Sequence, residues 1–363
     1  MRRIGVTTAG AVIGLGALGA ATGWGAMAYQ STSSGAGGNR PIMVAADDGS
    51  RPVQVARGAN PVISPNGSRV AYQVLSRSAI GTRVVDVATR TVAPVAKGCG
   101  EFGAVTWSPD STRIVCGTMS TARDGTVTGQ GLAMAQVPSG SLAGAGTLAL
   151  TTLVPARGNN VPPPPQGVSF SPDGTQIAYA WARWEKPTGI YVAPVSDATA
   201  RRRVLSSASS PVWGPLAIAA TQERQVSVRI ADTRMRTVQQ NVWVVNPDGS
   251  DPRAITAFRA RGLVYGPYAA FWTPDSTKVI GGIAGQDYSR TATFSTGARR
   301  TTTLLARRDT MPVGVSRDGA YIAFQPLLES SRVPVQVMRI NGTGVRTIAR
   351  NAMSPTFSAD WQP

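Results

Sequence analysis

The residues of this sequence that could take part in chemistry are arginines and aspartates, because histidine is absent and cysteine occurs only at Cys99 and Cys116. Without histidine the chain forms no Ser-His-Asp or Cys-His nucleophile system and no His-ligated zinc site. Two cysteines cannot build a Cys₄ metal site. Glutamate is scarce as well, which leaves few candidates for a glycosidase acid pair, and it stands at Glu101, Glu185, Glu223 and Glu329. We therefore expect no metal, no cofactor and no histidine-dependent catalysis.

Arginine dominates the charge of the chain, since Lys+Arg number 36 against 19 for Asp+Glu, a formal net charge of +17. Many arginines fall in long segments between predicted strands, such as the loop expected at residues 221–241, where binding residues are commonly found. We expect the opposite face, which carries only short turns, to be inert. A basic, partly aromatic loop face can bind an anionic polymer or an acidic peptide. The alternative is an arginine-rich composition that only solvates the surface. The candidate binding residues are Arg123, Arg157, Arg183, Trp184, Arg224, Arg229, Arg234, Arg236, Arg259 and Arg261.

The aspartates recur in one short motif. Ser-Pro-Asp-Gly at residues 171–174 is followed by Ile-Ala-Tyr at residues 177–179, and variants of this unit begin at Ser64, Ser108, Thr273 and Ser316. Proline presets φ for a type I turn, aspartate hydrogen-bonds locally, and glycine supplies the left-handed residue that closes a bulged hairpin. We interpret these aspartates as turn residues rather than calcium ligands, because no EF-type loop surrounds them. Where serine replaces the glycine, at Ser111 and Ser276, we expect backbone strain.

The bulky residue before each turn repeats at a nearly constant interval. It stands at positions 63, 107, 170, 213, 272, 315 and 357, and four of the six intervals are 42 to 44 residues. Between these hairpins lies a second alternating pair with its own turn, such as Asn-Pro-Asp-Gly-Ser at residues 246–250. Each repeat thus contains four short strands. Such units, arranged around an axis, predict an all-β fold, the β-propeller.

The repeated unit resembles the TolB-type, WD-like propeller repeat. The resemblance rests on Ser-Pro-Asp-Gly-x-x-Ile-Ala-Tyr/Phe with Asn-Pro-Asp-Gly-Ser turns between units, and it covers roughly residues 41–363. It implies a propeller fold. The same repeat occurs in transport factors, peptidase propeller domains and binding proteins, so the resemblance implies no particular activity.

The repeats predict six complete blades, at residues 61–95, 104–154, 167–205, 211–255, 269–305 and 312–348. A two-strand segment at residues 42–55 and a single inner-type strand at residues 355–361 remain. We interpret these as a seventh, composite blade that joins the two chain ends and lacks one strand, since such joining removes free sheet edges. A ring of six blades is the alternative.

The amino terminus has the pattern of an export signal. Arg2 and Arg3 precede an uncharged segment, residues 4–28, which ends in the small-x-small sequence Ala26-Met27-Ala28. A cleaved signal peptide is favoured, with a retained membrane anchor and a buried helix as alternatives. We therefore divide the chain into a signal peptide or anchor (1–28), a Gly/Ser-rich linker (29–40) and a TolB-like propeller (41–363). The protein would then be periplasmic, cell-wall associated or secreted.

Cys99 and Cys116 flank the hairpin of the second blade. In an exported protein a disulfide between them is favoured over free thiols. To form it, Cys99 must fold back from the loop that precedes the blade.

Our leading hypothesis is an exported propeller without catalysis of its own, which binds an envelope protein or an anionic polymer. We expect no nucleic acid partner, and membrane contact only through residues 4–28 if they are retained. The competing hypothesis is a hydrolase of glycans or lactones that uses aspartate and arginine at the channel mouth. An apolar or purely basic mouth would favour binding over hydrolysis. An inert propeller tethered to the membrane is a third possibility.

Overall fold

The computed structural model describes residues 26–32, 38–76, 80–100, 105–124, 126–155, 167–183, 186–230, 233–260, 264–285, 289–297, 301–303, 309–326 and 333–362. These residues form β-strands, turns and irregular segments, and no helix occurs among them. A search of the same residues accordingly finds no helix suited to crossing a membrane. The predicted all-β class is confirmed.

The strands follow one another closely along the described chain. In order they are β1 (Ala26–Ser31), β2 (Arg40–Ala46), β3 (Val53–Ile63), β4 (Arg69–Leu75), β5 (Ile80–Asp86), β6 (Val92–Pro94), β7 (Thr106–Trp107), β8 (Arg113–Thr121), β9 (Val127–Gln136), β10 (Leu150–Val154), β11 (Val168–Phe170), β12 (Gln176–Arg183), β13 (Lys186–Pro194), β14 (Arg202–Ser206), β15 (Ala208–Trp213), β16 (Ile218–Ile230), β17 (Thr233–Val245), β18 (Arg253–Ala254), β19 (Val264–Trp272), β20 (Lys278–Gly285), β21 (Ser289–Ser295), β22 (Thr301–Thr303), β23 (Thr310–Val315), β24 (Tyr321–Pro326), β25 (Val335–Arg339), β26 (Arg346–Ala349) and β27 (Ala352–Phe357).

The strands pair as antiparallel sheets, which are the blades of a propeller. Five sheets have four strands each: β7–β10, β11–β14, β15–β18, β19–β22 and β23–β26. The remaining sheet has the order β27-β1-β2-β3-β4-β5-β6. Strand β3 is shared within it, since its first half pairs with β2 and its second half pairs with β4. Within the described residues the pairing thus provides seven four-stranded units, and we keep the seven-blade ring as our interpretation of it.

The bulky repeat residues occupy one structural position. Each lies at the end of an inner strand and is the Cα partner of an apolar residue on the next strand. The pairs are Ile63↔Val70, Trp107↔Ile114, Phe170↔Ile177, Trp213↔Ile218, Trp272↔Val279, Val315↔Ile322 and Phe357↔Met27. In the first six pairs the partner follows the turn directly. In the last pair the partner comes from the other end of the chain.

The closing blade corrects the expected domain boundary. Strand β1 lies between β27 and β2, and so supplies the strand that the composite blade was expected to lack. Residues 29–31, assigned to the linker, are therefore part of a blade, and Arg40 already belongs to β2. The reason is burial, because Met27 and Ala28 are fully buried and Tyr29 is 8% exposed. Residues 1–25 and 33–37, which hold the rest of the predicted signal and linker, lie outside the described residues.

The turn chemistry follows the sequence prediction. In the third blade Ser171 Oγ accepts a hydrogen bond from the Gln176 amide at 2.9 Å, and Asp173 accepts one from the Thr175 amide at 3.0 Å. Gly174 has a φ of +68°. The two serines at the equivalent position have the same left-handed backbone, with a φ of +60° at Ser111 and +58° at Ser276. The expected strain at these two turns is confirmed.

The apolar core lies between neighbouring blades. One cluster packs Ala71 and Val84 of the first blade against Trp107 and Ile114 of the second. The Trp107 indole also donates to the Val62 carbonyl at 2.9 Å, which joins the two inner strands. Trp107 therefore packs between the first and second blades and joins them by a hydrogen bond.

Candidate binding faces

The propeller has two chemically different faces. We call the side that carries the turns between first and second and between third and fourth strands the turn face. The opposite side, where second strands meet third strands and where blades are connected, is the loop face. The short Ser-Pro-Asp-Gly turns lie on the turn face, and the arginine-rich segments lie on the loop face.

The most prominent feature of the loop face is the hairpin of β16 and β17, and it corrects the loop expected at residues 221–241. Both strands have 13 residues, whereas the second and third strands of the other blades have five to ten. The pairing is continuous from Ile218↔Val245 to Ile230↔Thr233. At roughly 3.3 Å per residue, the ribbon extends at least about 10 Å beyond its neighbours. Alternating valines in this segment suit a strand better than a loop.

The hairpin has two different sides. Successive residues of β16 point to opposite sides of the ribbon. Val226 and Val228 lie on one side and are half-buried, whereas Gln225 and Ser227 lie on the other side and are exposed. Ser227 is the Cα partner of Arg236, which is also exposed. Residues that pair directly across an antiparallel ribbon point to the same side. The outer side of the ribbon is therefore polar and positively charged.

A neighbouring segment is fixed against the base of this hairpin. The Asn241 amide oxygen accepts hydrogen bonds from Thr256 Oγ1 at 2.8 Å and from the Phe258 amide at 2.7 Å. The Gln239 side chain accepts a further one from the Ala260 amide at 3.2 Å. Arg259, which is exposed, stands between these anchored residues. The structure thus holds Arg259 beside the strand that carries Arg236.

The predicted binding residues fall into three groups. Arg123, Arg224, Arg236 and Arg259 are exposed on the loop face, and no ion pair of the described residues involves them. Arg183, Arg229 and Arg234 are described for their backbone positions only, where Arg183 pairs with Lys186 and Arg229 pairs with Arg234. Arg157, Trp184 and Arg261 lie outside the described residues.

Two arginines outside the loop face, Arg113 and Arg201, have structural contacts. Arg201 stacks on the rings of Trp181 and Tyr191, at 5.4 and 5.5 Å from their centres. Arg113 donates to the Gly174 carbonyl of the next blade at 3.1 Å. These side chains contribute cation–π and hydrogen-bonding contacts to the blades. Among the described residues, no such contact involves the exposed loop-face residues Arg123, Arg224, Arg236 and Arg259.

Among the described residues, the acidic side chains are concentrated on the turn face. On the loop face the described acids are Asp124, Glu223 and Asp309, and Glu223 accepts a hydrogen bond from Ser209 Oγ at 2.9 Å. In the turns of the other face stand Asp47, Asp48, Asp86, Asp110, Asp173, Asp197, Asp248, Asp251, Asp275, Asp318 and Asp360. Turn chemistry therefore places most of the described carboxylates on the turn face, and Glu101, Glu185, Asp232, Asp287 and Glu329 lie outside the described residues.

The turn aspartates are held in their ionised form. Partial burial of Asp110 opposes ionisation, but hydrogen bonds from Ser108 and Thr112 and the charge of Arg113 outweigh it and lower its pKa to about 2. Hydroxyl donation from Ser171 lowers the pKa of Asp173, and Thr273 does the same for Asp275. Carboxyls with lowered pKa values are poor proton donors near neutral pH. They act here as hydrogen-bond acceptors that close turns.

A pocket of about 360 Å³ lies on the turn face, which the sequence had led us to regard as inert. It is lined by Pro172, Pro215, Pro274, Trp213, Trp272, Phe271 and other uncharged residues at the ends of the inner strands. The feature of the sequence that could have indicated this pocket is a shortened turn, in which Trp213 and its partner Ile218 are only five positions apart. Leu216 in that turn is 75% exposed. The pocket is suited to an apolar group, and no carboxylate is among its lining residues.

Cys99 and Cys116 form a disulfide in the structure, with Cα atoms 5.4 Å apart. The returning loop is held by the Thr82 hydroxyl, which donates to the Cys99 carbonyl at 2.8 Å, and by the Gly100 amide, which donates to Gly117 at 2.9 Å. These contacts explain how Cys99 reaches back to the blade. In the described part of the chain, no group of three or more Cys, Asp or Glu side chains is placed to hold a metal ion.

The fold and its faces define the chain as a β-propeller, and comparison with solved structures gives the same class. A TolB structure from Acinetobacter baumannii matches with a TM-score of 0.53 and 13% identity, covering 93% of this chain and 66% of TolB. This chain therefore has the TolB-like propeller fold. It spans about two thirds of TolB's length.

Other propellers of known structure match equally well. A prolyl endopeptidase structure has a TM-score of 0.60 at 11% identity, covering 89% of this chain and 50% of that one. Oligogalacturonate lyase from Vibrio parahaemolyticus has a TM-score of 0.55 at 10% identity, covering 91% and 85%. At such identities the likeness concerns the fold alone. No protein-family model matches the chain, and no curated protein matches it by sequence.

Proposed function

We propose that this protein is an exported, non-catalytic β-propeller that binds an anionic partner in the cell envelope through its loop face. The observation that carries the proposal is the separation of charge between the two faces. Exposed Arg224, Arg236 and Arg259 gather on and beside the long hairpin, whereas most described carboxylates are used in turns on the other side. A surface of one sign attracts and orients a partner of opposite sign.

The partner is an acidic protein segment or an anionic polymer. Arginine suits both, because its planar guanidinium binds carboxylate and phosphate groups through paired hydrogen bonds. The exposed guanidinium groups are spread around the ribbon, since Arg236 lies on the side of Ser227, Arg224 lies on the side of Val226, and Arg259 stands beside the strand of Arg236. A linear, repeatedly charged partner therefore fits this surface better than a small molecule does.

The competing hypothesis of a glycan or lactone hydrolase needs carboxylates that converge with arginine at a channel mouth. The turn-face pocket is lined by proline, aromatic and aliphatic residues and threonine. The described turn aspartates bind their own turns and have lowered pKa values. These features favour binding over hydrolysis, and they support a role of the pocket in holding an apolar side chain.

The proposal is tested by retention of the purified protein on a resin that carries poly-L-glutamate. We expect retention at low salt and release as salt rises, because screening shortens the range of charge interactions to about 8 Å at physiological ionic strength. A neutral resin of the same matrix is the control. Equal behaviour on the two resins would contradict binding of an anionic partner.

A further inference from the structure

Strand β1 (Ala26–Ser31) is an internal strand of the closing blade. Ala28 pairs with Val44 of β2 on one side and with Thr356 of β27 on the other. Met27 and Ala28 are fully buried. A strand with neighbours on both sides satisfies its backbone groups only if the whole strand is present. The blade therefore depends on residues before Tyr29.

The side chains of β1 also join the closing blade to the first blade. Gln30 Nε2 donates to the Gly58 carbonyl at 3.0 Å, and the Asn60 amide donates to Gln30 Oε1 at 3.3 Å. Asn60 Nδ2 in turn donates to Gln73 Oε1 at 2.7 Å. A buried polar network of this kind is costly to leave partly unsatisfied. Displacement of β1 would expose all of these groups.

The sequence of β1 is that of a blade strand. Ala28-Tyr29-Gln30 repeats Ala71-Tyr72-Gln73 of β4 at the equivalent structural position. Ala28, the first residue of this triplet, is also the last residue of the small-x-small sequence that marks a cleavage site after Ala28. A cut at that bond would place a charged amino group on Tyr29, which is 8% exposed. Burying such a charge without a partner is strongly unfavourable.

We propose that the export signal is removed before Ala26, so that β1 remains in the exported protein as a strand of the closing blade. Hydrolysis of the Gly25–Ala26 bond would leave the whole of β1 in the exported protein. The residues directly upstream of that bond, Gly23-Trp24-Gly25, supply a second small-x-small sequence for the cleavage. Water then adds across that bond, with a carboxylate left on the signal and an amine on Ala26. This inference rests on the export part of the proposed function and not on the anionic partner.

The first test is the intact mass and amino-terminal sequence of the protein exported from full-length chain. An amino terminus at any position up to Ala26 supports retention of β1. A start at Met27 or later, above all at Tyr29, would overturn it. A chain that still begins at Met1 contradicts a cleaved signal but agrees with retention of the strand, so failure of export processing is distinguishable from failure of this inference.

The second test is Met27→Lys in the full-length chain, with Gln54→Lys on exposed β3 as the matched control. Position 27 is the variable residue of the small-x-small sequence, so the substitution leaves that cleavage pattern intact. If β1 is retained, Met27→Lys lowers the melting temperature or the yield of exported protein, and Gln54→Lys does not. Exported Met27→Lys protein that starts at Tyr29 and melts with the wild type would contradict the inference.

Discussion

The Trp272 indole donates a hydrogen bond to the Val212 carbonyl at 2.9 Å, across the boundary between two blades. Trp107 makes the same bond to Val62 three blades earlier in the ring. In both cases the aromatic residue of one inner strand is fixed to the inner strand of the blade before it. Contacts between adjacent blades therefore use the same residue position that identifies the repeat.

Replacing Trp272 should separate this hydrogen bond from packing. Trp272→Phe keeps most of the ring and should cost about 1 kcal/mol of unfolding free energy for the lost bond. Trp272→Ala also leaves a cavity and should cost roughly 3–5 kcal/mol. Denaturant unfolding of the two variants measures both effects. A Trp272→Phe variant as stable as the wild type would show that the hydrogen bond contributes nothing measurable.

Two left-handed serines should respond differently to glycine. Ser276 Oγ is buried and has no hydrogen-bond partner among the described residues, so Ser276→Gly removes both strain and an unsatisfied group. We expect a gain of about 0.5–1 kcal/mol. Ser111→Gly should gain less, because Ser111 Oγ accepts a hydrogen bond from the Asn66 amide at 3.1 Å. Thermal unfolding compares the two, and a larger gain at Ser111 would contradict this account.

The turn aspartates should make the free energy of unfolding depend on pH in the acid range. The pKa of Asp110 is lowered from its ordinary 3.8 to about 2 in the folded protein. The stabilisation of the folded state by ionised Asp110 is therefore present above pH about 4 and is lost as the pH falls towards 2. Asp110→Asn should weaken this acid dependence and keep the turn, since Asn66 makes the equivalent contacts in the first blade. Unfolding measured from pH 2 to 5 tests this, and an unchanged slope in the variant would oppose it.

Removal of the disulfide should destabilise the second blade. The bridge closes a loop with a sequence separation of 17, which corresponds to about 3 kcal/mol in the chain-entropy model. The double variant Cys99→Ala/Cys116→Ala should lose about that amount in chemical unfolding. Alkylation of the exported protein without reductant should add no mass. Two alkylated thiols would exclude the bridge.

The blades could be predicted from the sequence because each turn motif determines the pairing of the two strands next to it. The turn beginning at Ser171 sets its own hairpin, and the pairing of Phe170 with Ile177 follows from the length of that turn. The same reasoning identified strain at Ser111 and Ser276 from residue type alone. A motif that fixes both turn and register needs no long-range information.

Three features were not predicted, because they depend on distant contacts. Strand β1 was missed because its partner β27 lies at the other end of the chain, although Ala28-Tyr29-Gln30 matched the repeat. The β16–β17 ribbon was taken for a loop, since its arginines and glutamines hid an alternation that Val226 and Val228 carry. The turn-face pocket depends on Trp272 packing beside Gly214, where a Cβ would lie 2.6 Å from the indole.

The central claim, that the loop face binds an anionic partner, is tested most directly by titrating fluorescent poly-L-glutamate with two triple variants. One reverses Arg224, Arg236 and Arg259 to Glu, and the control reverses the exposed turn-face residues Arg51, Arg339 and Arg346. Both change the net charge equally. We predict affinity at least about tenfold weaker for the loop-face variant, from three contacts of roughly 0.5–1 kcal/mol each, and little change beyond the net-charge effect in the control. Equal losses in the two variants would contradict a loop-face site.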